Sequence, residues 1–327
     1  MNTATAARSG RKVLLADIGG TNARFALLAD GTVSMVSHLA VSAYGSFREA
    51  LGAYLGGLPE AGTIRTGILA AAGVVHDGRC ALTNSSWVID AAELSATCGF
   101  STVRLLNDFE AVAWCLPDLS RDSLLPLGGG QPVAGTPLAA LGPGTGLGMA
   151  ASIPHATIHL VLSSEGGHAT MAASSPREDA VIAYLRRRFG HVSAEHVLSG
   201  HGLENVHEAL AALDNLVVPR RRAGEITRAG IEGTCPTSRA AIDMFCAMLG
   251  TVAGNLALTL GARGGIFIAG GILRHMPEYL VRSQFRARFE EKGRMRKYLE
   301  PIPAYLILDE DAAFVGLRRL AEVEGIG

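Results

Sequence analysis

The stretch Val13-Leu14-Leu15-Ala16-Asp17-Ile18-Gly19-Gly20-Thr21-Asn22-Ala23-Arg24-Phe25-Ala26-Leu27-Leu28 decides how this chain is read. An apolar run ends in an acid, a glycine turn follows, and a second apolar run resumes. That is strand, turn, strand: a hairpin, unlike a P-loop, whose glycine turn opens a helix. Such glycines let backbone N–H groups face an anion, with the Thr21 hydroxyl as a further donor. An ordinary glycine hairpin would read the same way. The same arrangement recurs downstream. Pro137–Leu141 reads as a strand, Gly142-Pro143-Gly144-Thr145-Gly146-Leu147-Gly148 as a second glycine turn, and 147–152 as the returning strand. Recurrence of a strand–turn–strand opening suggests an internal duplication.

Between the two openings the pattern alternates. Residues 32–39 read as a strand, 46–55 as a helix and 67–72 as a buried strand. A hairpin turns at His76-Asp77-Gly78. Asp90 caps a helix that Gly99 stops near Cys98. Val103–Leu106 then delivers Asn107 and Asp108 at the start of a helix, so the first part reads β-β-β-α-β-α. An Asp at a strand's carboxyl end stands where open α/β sheets place their chemistry. The positive helix end favours its charged form, as a general base for a hydroxyl requires. A plain N-cap Asp is the alternative.

Further along, Leu127–Gly130 reads as a turn-rich crossing near a domain boundary. Ser164-Glu165-Gly166-Gly167-His168 is a polar loop, and Ser193-Ala194-Glu195 opens a short helix in which Glu195 could be a solvated first-turn residue. Helices follow at 175–188, 202–213, 236–260 and 277–290. Gly265–Gly271 is a buried strand ending in glycines, residues 303–308 a last strand, and a C-terminal helix begins at Asp309 or Glu310. The uncharged run Phe245–Ala262 is long enough to span a membrane, but Gly250, Gly254 and Asn255 suit a buried helix.

Composition narrows the function. The chain has 327 residues, 48% apolar and 6% aromatic, and a formal charge of −1. That balance argues against nucleic acid or an anionic membrane as partner. Lysine occurs only at 12, 292 and 297, so phosphates at the glycine turns would be held by N–H groups, Thr21, Thr145 and a metal carried with a nucleotide. Five scattered cysteines form no C-x-x-C pair, and His155 and His159, at helical spacing, have no nearby partner, so no protein-bound metal is expected. Arg186–Arg188 and Arg220–Arg222 read as solvated faces. Residues 1–10 read as a disordered tail without a signal peptide.

The set resembles the sugar kinase, heat-shock protein and actin superfamily. Ala16–Thr21 looks like its first phosphate motif, Gly142–Gly148 its second and Phe267–Gly271 its adenosine motif. Within it, the chain is similar to the bacterial glucokinase family. The matching pieces, in order, are Asp17–Arg24, Leu82-Thr83-Asn84, Asn107-Asp108-Phe109, Gly144–Gly148, Glu165–His168, His191–Glu195 and Gly265–Gly271. The resemblance implies a two-domain actin-like ATPase fold with duplicated ribonuclease H-like β-β-β-α-β-α units and a cleft between lobes. The small domain would be 11–118 plus 308–327, the large one 119–307. It also implies a cytoplasmic homodimer that phosphorylates the 6-hydroxyl of glucose with ATP and Mg²⁺. Asp108 would be the catalytic base. Asn84, Asn107, Glu165, His168 and Glu195 would hold sugar hydroxyls. Ala16, Asp17, Ile18, Gly19, Gly20 and Thr21 would hold ATP, together with Gly144, Thr145, Gly146, Gly270 and Gly271. Ser164 stands where the family favours glycine and His201 where proline is common, which leaves another hexose or amino sugar open. A non-catalytic sugar sensor is the alternative from another class; the chain lacks the Cys-rich zinc motif and the N-terminal DNA-binding extension of the related repressor group.

Overall fold

The computed structural model describes residues 11–59, 61–83 and 85–326. The tail expected at 1–10 and the sugar contact expected at Asn84 lie outside the described residues. The chain divides into two compact units. Unit 1 holds the described residues up to Asp118 together with those from Asp311 onward, and unit 2 is Leu119–Glu310.

Unit 1 runs β1 (Val13–Ile18), β2 (Asn22–Ala29), β3 (Thr32–Ala40), α1 (Phe47–Gly56), β4 (Thr66–Ala71), β5 (Val75–His76), β6 (Arg79–Ala81), β7 (Val88–Asp90), α2 (Ala91–Cys98), β8 (Thr102–Asn107) and α3 (Asp108–Cys115). Its main sheet has the order β3-β2-β1-β4-β8, and β5–β7 form a separate small sheet. β1 is antiparallel to β2 and parallel to β4, which is parallel to β8. Local chemistry sets the helix ends. Ser46 caps α1 through the Glu49 N–H, Asp90 caps α2 through two N–H groups, and Gly99 ends α2 at φ 76°. Aromatic contacts help to pack its core: Phe25 stacks on Tyr54 at 5.2 Å, and Trp87 meets Phe47 edge-on at 6.2 Å.

Unit 2 repeats the plan with β9 (Leu124–Gly128), β10 (Leu138–Pro143), β11 (Leu147–His155), β12 (Ile158–Ser164), α4 (Pro176–Phe189), α5 (Gly200–Leu213), α6 (Ala223–Ile231), α7 (Pro236–Leu260), β13 (Gly265–Ile268), α8 (Gly271–Arg274), α9 (Pro277–Arg282), α10 (Phe285–Glu290), α11 (Arg296–Leu299) and β14 (Ala304–Ile307). The sheet order is β12-β11-β10-β13-β14-β9. Strand for strand, β12-β11-β10-β13-β14 corresponds to β3-β2-β1-β4-β8, with the same antiparallel and parallel senses. The duplication read from the two glycine turns is therefore structural. The chain then returns to unit 1 as α12 (Ala312–Glu324), which packs on α3, β1 and β4.

α7 is the one helix among the described residues long and apolar enough to cross a membrane, and 72% of its apolar window is buried within the protein. Gly250 and Gly254 let α10 approach: a Cβ on either would lie 2.1 or 2.4 Å from the carbonyl oxygens of Phe285 and Phe289. The small residues thus serve core packing. Beside them the buried Glu178 accepts both forks of Arg288, at 2.6 and 3.1 Å, and the Ser174 N–H at 2.8 Å. These partners satisfy a charge that would be costly alone.

Several expectations need correction. The helix expected over 277–290 is two helices: Ser283 interrupts it, its hydroxyl donating to Leu280 O and accepting the Phe285 N–H. The crossing at Leu127–Gly130 begins inside β9, which pairs with β14. No helix opens at Ser193; that residue bridges to Thr170, and Glu195 lies in the following turn. His155 and His159 sit on paired strands, and His159 Nδ1 bonds Ser152 Oγ at 3.0 Å. The C-terminal helix starts at Ala312. Arg220 and Arg222 are exposed, as expected of a solvated face, and α6 follows directly on them.

Candidate active site

In unit 1 the carboxyl ends of three neighbouring parallel strands carry the candidate residues. β1 ends at Asp17-Ile18, and Asp17 Oδ2 accepts Arg24 Nη1 from the paired strand at 2.8 Å. The Gly19 N–H donates to Asn22 O at 2.9 Å and closes the turn. Half-buried Gly20 and exposed Thr21 form its tip, where N–H groups and a hydroxyl can meet an anion. Ala16 and Ile18 are fully buried, so their side chains belong to the core and only their backbone could serve a ligand.

Asn107 ends β8 and caps α3. Its Oδ1 accepts the Phe109 N–H at 2.9 Å and its Nδ2 donates to Gly73 O at 3.1 Å. The capping role weighed for Asp108 therefore belongs to its neighbour. Asp108 is the first helical residue, half-buried, its Oδ1 3.0 Å from the Phe109 N. Burial, then the charge of Asp108, pushes the Cys80 thiol up to about 11, which places that carboxylate beside the small sheet. Thr83 bonds Ala72 O through its N–H and its hydroxyl, each at 3.3 Å. Ala72 in turn donates to Ile18 O, so the strand after β4 ties the three strand ends together.

In unit 2 the second glycine turn and the polar loop form one cluster. Gly144 N–H donates to Gly146 O at 2.8 Å, leaving Thr145 exposed at the tip. Glu195 Oε2 accepts the Leu147 N–H at 2.9 Å, so a carboxylate 48 residues away is anchored on this turn. Its Oε1 lies 3.9 Å from His168 Nδ1, and His168 Nε2 lies 3.7 Å from Glu165 Oε2. The Glu195 side chain is 31% exposed; those of His168 and Glu165 are 60% and 63% exposed. Backbone bonds lock the cluster: Glu195 N–H to Gly167 O, and His168 N–H to Glu165 O. Ser164 accepts the Gly166 N–H at 3.0 Å, so the residue that departs from the family's glycine braces the loop. His196 accepts the Ser193 N–H at Nδ1 and stacks on Phe189; burial lowers its pKa despite the charge of Glu195.

β13 leads into Gly270, whose φ of 110° and close approach to Pro143 O, 2.2 Å from an added Cβ, admit only glycine. Gly271 opens α8 and lines a cavity of about 520 Å³ with Ala223, Thr227, Arg228, Ile272 and His275. Thr227 is 6% exposed, and its hydroxyl has no hydrogen-bond partner among the described residues. Sequence reading missed α6 and Thr227; the only signal was a charge run. Among the described residues no group of three or more His, Cys, Asp or Glu could hold a metal.

Two β-sheet cores of the same topology, each carrying a glycine turn, define the actin-like ATPase fold class. Residues 14–324 match the model of the glucokinase family, and the chain belongs to that family. It is 48% identical over 314 residues to a glucokinase of Paramagnetospirillum magneticum, covering 94% of this chain and 97% of that one. It is 39% identical over 305 residues to a glucokinase of Shigella dysenteriae, covering 93% and 94%. A crystal structure of a glucokinase from an Antarctic psychrotroph superposes with a TM-score of 0.83 at 34% identity, over 95% of this chain and 99% of that one. The fold extends to a glucokinase of Balamuthia mandrillaris in complex with glucose, with a TM-score of 0.80 at 20% identity over 98% and 96%.

Proposed function

We propose that this chain is an ATP-dependent glucokinase that transfers the γ-phosphoryl group to the 6-hydroxyl of D-glucose, giving glucose 6-phosphate and ADP. One observation carries the sugar assignment. Glu195 is pinned through one oxygen to the Leu147 N–H, which leaves its other oxygen, His168 and Glu165 as a fan of acceptors and donors. A hexose presents hydroxyls that both donate and accept, and charged partners roughly double such bonds. Asn107 caps α3 and so sets Asp108 at its head, and the second N–H of its amide is left for a sugar hydroxyl. Asp108 takes the proton from the 6-hydroxyl as that oxygen bonds to the γ-phosphorus and the bond to the β–γ bridging oxygen breaks. The turns at Gly19–Thr21 and Gly144–Gly146 hold phosphates by N–H groups. The cavity at Gly271 takes the nucleoside, where Thr227 offers a buried hydroxyl without a partner.

Mg²⁺ arriving with the nucleotide would supply charge neutralisation at its phosphates. A nucleotide-borne metal needs one or two carboxylates, not a protein cage, and Asp17 beside the phosphate turn fits that requirement. The cytoplasm is the compartment that supplies ATP, and five free cysteines suit its reducing conditions. We also propose a homodimer. Ile158, Leu160 and Leu162 alternate along the edge strand β12 at 42–49% exposure, an apolar row that a second copy would cover. Leu160→Asp should shift the mass in sedimentation equilibrium to that of a monomer; a monomeric wild type would refute the dimer.

The experiment for the reaction is Asp108→Asn, which keeps the acceptor for the Phe109 N–H. Turnover should fall roughly 10²- to 10⁴-fold while glucose still binds by calorimetry. Turnover near wild type would remove Asp108 from the chemistry.

A further inference from the structure

Unit 2 contains a second large hollow, of about 1040 Å³, walled by the end of α4, by α5 and by the 214–222 segment. It shares no lining residue with the cavity at Gly271. Four guanidinium groups and two carboxylates line it. Arg188 lies 3.6 Å from Glu208 and Arg222 3.5 Å from Glu204. Arg220 and Arg221 carry the surplus positive charge; Arg221 also donates to Cys235 Sγ at 3.4 Å. At the wall stands His207, 3% exposed, whose Nε2 has no hydrogen-bond partner among the described residues. Burial, then the charge of Arg221, lowers its pKa. This buried atom sits beside unbalanced guanidinium charge. A bound anion relieves the surplus guanidinium charge. The floor is partly apolar, with Ala211, Ala212 and Leu216 among its lining residues.

We propose that this hollow binds a phosphomonoester, and that its occupancy alters sugar affinity. Two surplus guanidinium groups match a dianion, and their forks suit phosphate oxygens. The apolar floor and the volume suit a small carbon skeleton on that phosphate. A nucleobase has no free platform, because the lining Phe189 already carries His196 and Arg188. The wall is bonded to the sugar cluster. Asn205 Nδ2 donates to His196 O at 3.0 Å, Ser199 Oγ to Glu195 O at 2.9 Å, and the Gly200 N–H to Gly144 O at 2.9 Å. A ligand that stiffens α5 therefore acts on the segment that carries Glu195. This coupling rests on the sugar role of Glu195; the binding itself does not.

Calorimetry on the full chain, with glycerol 3-phosphate as probe and with glucose and a non-hydrolysable ATP analogue saturating, separates the two. Millimolar or tighter binding is expected, weakened about tenfold or more by Arg221→Gln and by Arg220→Glu, since each removes a charge partner. Arg220 is exposed, so that variant should keep the wild-type thermal midpoint. No binding, displacement by the ATP analogue, or equal affinity in both variants would overturn the site. Inorganic phosphate binding as tightly as the ester would overturn the phosphomonoester assignment. In the presence of the probe, the glucose dissociation constant should move about twofold or more in wild type and stay fixed in Arg220→Glu; an unmoved constant with the probe bound would overturn the coupling.

Discussion

Replacing Gly146 by alanine should damage the sugar site while sparing the fold. A Cβ at Gly146 would lie 2.4 Å from Glu195 Oε2, where separations under 3.0 Å are essentially never found. That oxygen is the one bonded to the Leu147 N–H. The carboxylate is the far end of a flexible side chain, so it retreats and the backbone need not. The retreat of about 0.6 Å breaks a charge-assisted hydrogen bond and displaces the oxygen meant for the sugar. Bonds of that kind contribute about 1.5–3 kcal/mol, so the KM for glucose should rise roughly 10- to 100-fold. The assay couples glucose 6-phosphate formation to its dehydrogenase across a glucose titration, with a melting curve alongside. Gly167→Ala is the contrast: its Cβ would meet the backbone oxygen of Leu147 at 2.0 Å, so that change should lower the thermal midpoint itself. An unchanged KM in Gly146→Ala would refute the claim that this turn positions Glu195 for sugar.

Other outcomes follow from packing and charge. Gly316→Ala in α12 would place a Cβ 1.9 Å from Ala111 O on α3. It should cost about 1–3 kcal/mol in urea unfolding of unit 1, and an unmoved midpoint would disprove the tight helix contact. His196 and His207 are both held below the ordinary 6.5 by burial. Between that value and the lower folded one, the unfolded chain binds protons that the folded chain refuses, so stability should fall as pH drops through this window and stay level above it. Urea midpoints at neutral pH and at about pH 5.5 test this; a shallower slope in His207→Gln is expected, and an identical slope would acquit that residue.

Much of the plan was legible because it is written locally. Ser46, Asp90, Gly99 and the pair Ser175-Pro176 mark helix ends by chemistry confined to a turn. The two glycine hairpins announced the duplication, since a strand–turn–strand leaves a short apolar–glycine–apolar signature. What stayed hidden depends on partners far along the chain. Glu195 looked like a helix-opening residue, and only its bond to Leu147 shows a carboxylate held in a turn. Asp108 and Asn107 are neighbours with similar capping chemistry, and the extended backbone at Asn107, whose Oδ1 accepts the Phe109 N–H, makes it the cap. Ser283 breaks a run of good helix formers by answering its own backbone. Arg220–Arg222 read as solvent-facing because a charge run carries no mark of the hollow it borders.

The return of the chain to unit 1 has a consequence for how the protein is made. β1, β4 and α3 leave the ribosome early, yet the helix that covers them, α12, is translated only after residues 119–310. Until then the face of α3 that will meet Gly316 stays uncovered. Translation speed through the second unit, and any premature stop before α12, should therefore decide how much of the product survives.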